Sequence, residues 1–110
     1  MEIITRDYKR SNIIRINGRV DAGTYRELEK TLKEYIDTGR THIVLEMDGT
    51  DFLSSAGVRV LISAQKALKP RGGRLVISQP SERVKDVLDL AGLESLFPVY
   101  DSTVAALASE

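Results

Sequence analysis

The chain has 110 residues, enough for one domain built around one core. Its 16 basic and 16 acidic side chains cancel, which argues against nucleic acid or an anionic membrane as the main partner, since both reward a basic excess. There is no cysteine, so disulfides and thiolate metal sites are excluded, and the mixture of Glu2, Arg6, Asp7 and Lys9 with apolar residues is unlike a signal peptide.

Taken in order, Ile3 to Tyr8 has strand character. Asn12 to Asn17 alternates, with Ile14 and Ile16 facing one way and Arg15 and Asn17 the other, as a half-buried strand does. The short polar turn from Lys9 to Ser11 predicts a hairpin between them, and Gly18 ends the pattern. Thr24 and Glu27 have capping-box spacing, so a helix is predicted from there to Gly39. Tyr25, Leu28, Leu32, Tyr35 and Ile36 form its apolar stripe. Ile43 to Leu45, with Met47 just beyond, is a continuous apolar run of the kind buried on both faces of a parallel sheet. A polar loop from Asp48 to Asp51 follows, and Phe52 and Leu53 lead into Ser54, Ser55, Ala56 and Gly57. A second helix is predicted over Val58 to Lys69, its apolar face made by Val58, Leu61, Ile62 and Leu68. Pro70 stops it, and Gly72-Gly73 turns the chain.

Leu75 to Ile77 is the next buried strand. Ser81 caps a third helix that carries Val84, Val87, Leu88 and either Leu90 or Ala91, and Gly92 closes it. Leu96 to Tyr100 reads as a last strand, placed at an edge because Pro98 has no N–H for a ladder. Ser102 to Ser109 is a short terminal helix. The order β-β-α-β-α-β-α-β-α implies right-handed parallel crossovers after the first hairpin. No apolar run approaches the roughly 20 residues that span a bilayer, and the expectation is a soluble, cytoplasmic protein.

In such a sheet the loops leaving the strand C-termini gather on one rim, where open α/β sheets bind ligands. Three loops are expected there: Gly18, Asp21 and Gly23; Asp48, Asp51, Ser54 and Ser55; and Ser78 with Gln79. The serine pair at the start of the second helix has two readings. A serine there caps a free backbone N–H. It is also a favourable place for phosphate, because free N–H groups and the helix dipole favour negative charge. Asp21, Asp48 and Asp51 are read as turn residues rather than a Mg²⁺ site. A serine hydrolase is excluded by geometry. The only histidine, His42, begins the strand that ends near the serines, roughly 20 Å away, whereas a Ser–His pair must touch. Gly72-Gly73 is not followed by the Lys-Ser/Thr of a phosphate loop.

The run Asp51-Phe52-Leu53-Ser54-Ser55-Ala56-Gly57-Val58-Arg59-Val60-Leu61 resembles the signature of STAS-domain anti-sigma-factor antagonists. Gly18-Arg19-Val20-Asp21-Ala22, His42 to Met47, Gly72 to Ile77 and Leu90-Ala91-Gly92-Leu93 match other segments of that family in order and spacing, over nearly the whole chain. The resemblance implies an α/β fold: a STAS-like mixed sheet with the N-terminal strand antiparallel, the remaining strands parallel, and about four helices. It implies a partner-switching regulator that is not an enzyme and has no cofactor. Its partners would be an anti-sigma factor or serine kinase of the switch type, and a serine phosphatase. Matched residue by residue, the phosphorylated serine is Ser55, with Ser54 the alternative. Ser54 stands where the family has an aspartate. The docking surface implied is Asp21, Ser54, Ser55, Gly57, Val58 and Arg59. The other reading within the family is a constitutive adaptor, such as a transporter subunit, in which the serine is only a cap.

Overall fold

A computed structural model describes residues 1–109. The apolar runs found in the sequence become strands β1 (Glu2–Tyr8), β2 (Ser11–Val20), β3 (His42–Glu46), β5 (Arg74–Ser78) and β6 (Val99–Tyr100). The periodic segments become helices α1 (Tyr25–Asp37), α2 (Ser55–Leu68), α3 (Glu82–Ala91) and α4 (Thr103–Ala108). One strand, β4 (Thr50–Leu53), lies where the sequence suggested only a loop and its exit.

The sheet runs in the order β1-β2-β3-β5-β6, with β4 paired to β2. β1 is antiparallel to β2, and the remaining pairings are parallel, as the family resemblance implied. Gly18 does not end β2. At φ +97° it takes a left-handed conformation open to glycine, and the register shifts between Gly18 and Arg19. The strand thereby leaves β3 and pairs Arg19 with Phe52 and Val20 with Leu53. This split of partners creates β4.

Alternation along the strands sorts side chains to two faces. Ile14, Ile16, Ile43, Leu45, Leu75 and Ile77 face a core closed by Leu28, Leu32 and Ile36 of α1, Val60, Leu61, Ala64 and Leu68 of α2, and Val84 and Leu88 of α3. Ile13, Val44 and Val76 face the other way and are covered by Ala106 of α4. α4 is too short to shield that face by apolar contact alone. A polar network completes the cover: Arg6 reaches across β2 to Glu46 with two hydrogen bonds of 2.8 and 2.9 Å, and the Thr103 hydroxyl donates to the same carboxylate. Charge-assisted pairs of this geometry are the strong kind, and the Glu46 side chain is only 5% exposed.

Several local expectations change for identifiable reasons. Thr24 precedes α1 but does not cap it; its hydroxyl is used by the preceding loop, accepting from Asp21 N (2.9 Å) and donating to the Arg19 carbonyl (2.8 Å). α2 begins at Ser55 rather than Val58, and Val58 and Ile62 lie at its half-buried margin instead of its centre. On α3, Leu90 and Ala91 both face solvent, so the buried side rests on Val84 and Leu88. Only Val99 and Tyr100 of the last predicted strand pair with β5. Leu75 therefore lacks a strand neighbour on that side. Gln65 of α2 supplies one, accepting from Leu75 N (2.7 Å) and donating to the carbonyls of Leu75 and Leu96 (each 2.9 Å). No helix among the described residues is long and apolar enough to cross a membrane.

Candidate functional site

The parallel strands do point one way, but the rim they form is divided in two. The first part forms where β2 and β4 end side by side. Ser54 N donates to the Val20 carbonyl at 2.9 Å, which ties the start of α2 to the loop that carries Asp21. Asp21 and Ser55 are thus on one surface, as the topology suggested. The second part forms where β3 and β5 end. There Asp48 accepts two hydrogen bonds from Arg15, at 2.7 and 3.0 Å, and a third from Gln79 at 3.2 Å. Asp48, Ser78 and Gln79 therefore belong with Arg15, Glu46 and Thr103 on the α4 side, away from Asp21 and Ser55. The three aspartates do not converge, and no cluster able to hold a metal ion exists among the described residues.

The two serines have different environments. Ser54 is the N-cap of α2, with extended backbone, and its Oγ accepts from Gly57 N at 3.2 Å. Its carbonyl accepts from Val58 N at 2.9 Å. Ser54 is partly buried; Ser55, the first helical residue, is exposed. Among the described residues no side chain hydrogen-bonds the Ser55 hydroxyl. The amides of Ser55 and Ala56 are the first-turn donors that Ser54 leaves unused.

Gly57 is buried and offers nothing for a partner to touch. Its importance is steric: a Cβ there would stand 2.7 Å from both Leu53 Cδ1 and Val20 Cγ1. Only glycine lets the first turn of α2 lie directly on the ends of β2 and β4. Val58 is half-buried and Arg59 exposed, one residue apart on the side of α2 next to Ser55.

Asp21 is organised by its own loop. Its Oδ1 accepts from Gly23 N at 3.0 Å and lies 3.2 Å from the Thr24 hydroxyl, while Oδ2 is 3.5 Å from Arg19 Nε. The Gly23 amide, then Thr24 and Arg19, hold its carboxyl below the usual carboxylate range. Arg19 also lies over the Phe52 ring, 4.3 Å from its centroid. Arg19 and Phe52 are register partners whose neighbours Val20 and Leu53 point into the core, so the pair faces outward beside the serines. The sequence did not single them out. The signal was there in part, in the alternation Arg19-Val20 against Phe52-Leu53, but reading it requires knowing that β4 exists.

The STAS domain family matches residues 2–106. BtrV of Bordetella bronchiseptica, provisionally described as an anti-sigma factor antagonist, is 34% identical over 94 residues, covering 86% of this chain and 81% of its own. The anti-sigma F factor antagonist of Paenibacillus polymyxa is 30% identical over 96 residues, covering 86% and 82%. Among solved structures, the Bacillus anti-sigma factor antagonist SpoIIAA in its unphosphorylated form superposes with a TM-score of 0.85 at 21% identity, covering 98% of this chain and 95% of that one. Its phosphorylated form gives a TM-score of 0.78 at 19% identity and 98% coverage of each chain. Fold and chain-long match agree: this chain belongs to the STAS domain family, as do relatives described as anti-sigma factor antagonists.

Proposed function

We propose that this chain is an anti-sigma factor antagonist switched by phosphorylation of Ser55. Unphosphorylated, it binds an anti-sigma factor of the switch-kinase type through the rim around Ser55, and phosphate on Ser55 releases it. The carrying observation is the division of labour between the two serines. Ser54 spends its oxygen on the Gly57 amide, while Ser55 presents an exposed hydroxyl next to two unused amides. A phosphate there would lie at a helix N-terminus, where negative charge is favoured. The chain supplies only the acceptor. ATP and Mg²⁺ come with the kinase, and a serine phosphatase resets the switch.

The energetics are sufficient. Phosphoserine brings nearly two negative charges into what had been a packed contact. A thousandfold loss of affinity corresponds to about 4 kcal/mol, and burying an unpaired charge costs at least that. Asp21, Ser54, Val58 and Arg59, joined by Arg19 and Phe52, form the surface assigned to the partner. Zero net charge makes local shape and local charge decide recognition, not long-range steering. The setting of such a switch is the cytoplasm, where the kinase and its ATP are.

The test is to measure the Kd for the anti-sigma factor of the same host with the protein unphosphorylated and stoichiometrically phosphorylated. Tight binding of the first form and a loss on the order of a thousandfold in the second is the expected outcome. Equal affinity of the two forms would instead make the chain a constitutive adaptor.

A further inference from the structure

A second surface lies at the end of the molecule opposite Ser55, where β2 and β3 begin. A hollow of about 770 Å³ opens there between the β1–β2 turn and α4. Its apolar wall is Tyr8, Val104, Leu107 and Ala108; Lys9, Arg10, Ser11 and His42 complete the lining, with the Lys9 ammonium 5.5 Å from the centroid of the Tyr8 ring. Tyr8 is 51% exposed and Val104 is 77% exposed, so two large apolar side chains are open to solvent on one concave surface. No acidic side chain among the described residues lines this hollow. A smaller hollow beside it, about 420 Å³, shares Lys9 and Arg10 and adds Arg40; its one carboxylate, Asp7, accepts from Asn12 at 2.7 Å.

The turn itself carries an independent sign of use. Lys9 sits at φ +55°, in the left-handed region. Asparagine or glycine is the inexpensive residue at such a hairpin position. A lysine held there is strained, and strain of this kind clusters at functional positions.

We propose that this groove is a docking site for an acidic amphipathic segment of a partner protein. Its apolar wall calls for aliphatic side chains, and the cations of its lining call for carboxylates. Both demands are met by a peptide that carries leucine-like and acidic residues together. A lipid surface is too flat to reach a concave floor, and a nucleic acid offers no leucine-sized aliphatic side chain to fill it. The groove and Ser55 lie at opposite ends of the parallel strands, roughly 15–20 Å apart. A segment bound in it leaves the Ser55 surface free, so one chain can hold two partners at once.

The experiment is an NMR titration of the isotope-labelled full chain with a short synthetic peptide built only of Asp, Glu and Leu. A peptide of Asp, Glu and Ser with the same charge, and vesicles of anionic phospholipid, are run alongside. Binding of the leucine peptide alone, with shifts confined to Tyr8 through Ser11 and the face of α4, is expected. Lys9→Asn keeps the turn, because asparagine suits its backbone, and removes a charge. Combined with Arg10→Glu it is expected to weaken binding about tenfold or more. Val104→Asp, at an exposed position, is expected to abolish it while the fold persists, and Ser55→Asp to leave it unchanged. The proposal is overturned by absence of binding at millimolar peptide or by shifts elsewhere. Equal binding of the serine peptide, or binding of the vesicles in place of the peptide, overturns it as well.

Discussion

Replacing Ser54 by alanine removes the oxygen that accepts from Gly57 N. A lost cap costs about 1 kcal/mol, which for a domain of this size lowers Tm by about 5 °C. The site of phosphorylation should not move. Calorimetry together with phosphopeptide mapping checks both halves, and an unchanged Tm would show that the cap carries no weight. Gly57→Ala is the companion test of geometry. Its added methyl meets Val20, which is fully buried and branched at Cβ, so the start of α2 must lift. A loss of about 1–3 kcal/mol by denaturant unfolding is expected, in the range of core overpacking. A variant as stable as the parent would mean that α2 does not approach β2 and β4 this closely.

At the scale of elements, α4 is held to the sheet by the Thr103–Glu46 hydrogen bond as well as by the packing of Ala106 and Leu107. The side-chain hydrogen bonds from Arg6, and then that from Thr103, keep the Glu46 carboxyl below the ordinary carboxylate range despite burial. A carboxyl depressed on folding stabilises the protein above its unfolded value and loses that contribution as pH falls through the folded one. Stability should therefore decline on acidification below about pH 4.5. Glu46→Gln should flatten that decline in urea titrations across pH; an identical slope would remove Glu46 as its cause. Thr103→Val deprives Glu46 of a donor and leaves Ser78 without its hydroxyl partner. Faster hydrogen exchange confined to α4 is expected, and uniform change across the protein would contradict the latch. Little of this network was legible in the sequence. Arg6, Glu46 and Thr103 are far apart in the chain, and they meet only because β1 lies beside β2 in the sheet and α4 covers the face to which Arg6 and Glu46 point. By contrast, the helical stripe of α1 and the apolar runs of β3 and β5 were readable because periodicity is a local property.

For the molecule as a whole, the same contrast explains which parts of the site were foreseen. Asp21 and Ser55 both follow parallel strands, so topology alone brings them to one rim. Asp48 looked equivalent and is not, because the chain between β3 and β4 carries it to the α4 side, where Arg15 takes it. That depends on the bend at Gly18 and on a four-residue strand with an exposed aspartate in it, for which periodicity offers no cue. The outcome is a domain with an exposed serine at a helix N-terminus at one end and an apolar groove lined in part by cations at the other. The measurement that bears most directly on the switch is peptide mass spectrometry of the protein taken from its own cells, for the parent and for Ser55→Ala. Phosphate on Ser55 in the parent, and none on the Ser55→Ala chain, is the result expected. Phosphate on Ser54, with the Ser55→Ala chain still fully modified, would contradict it.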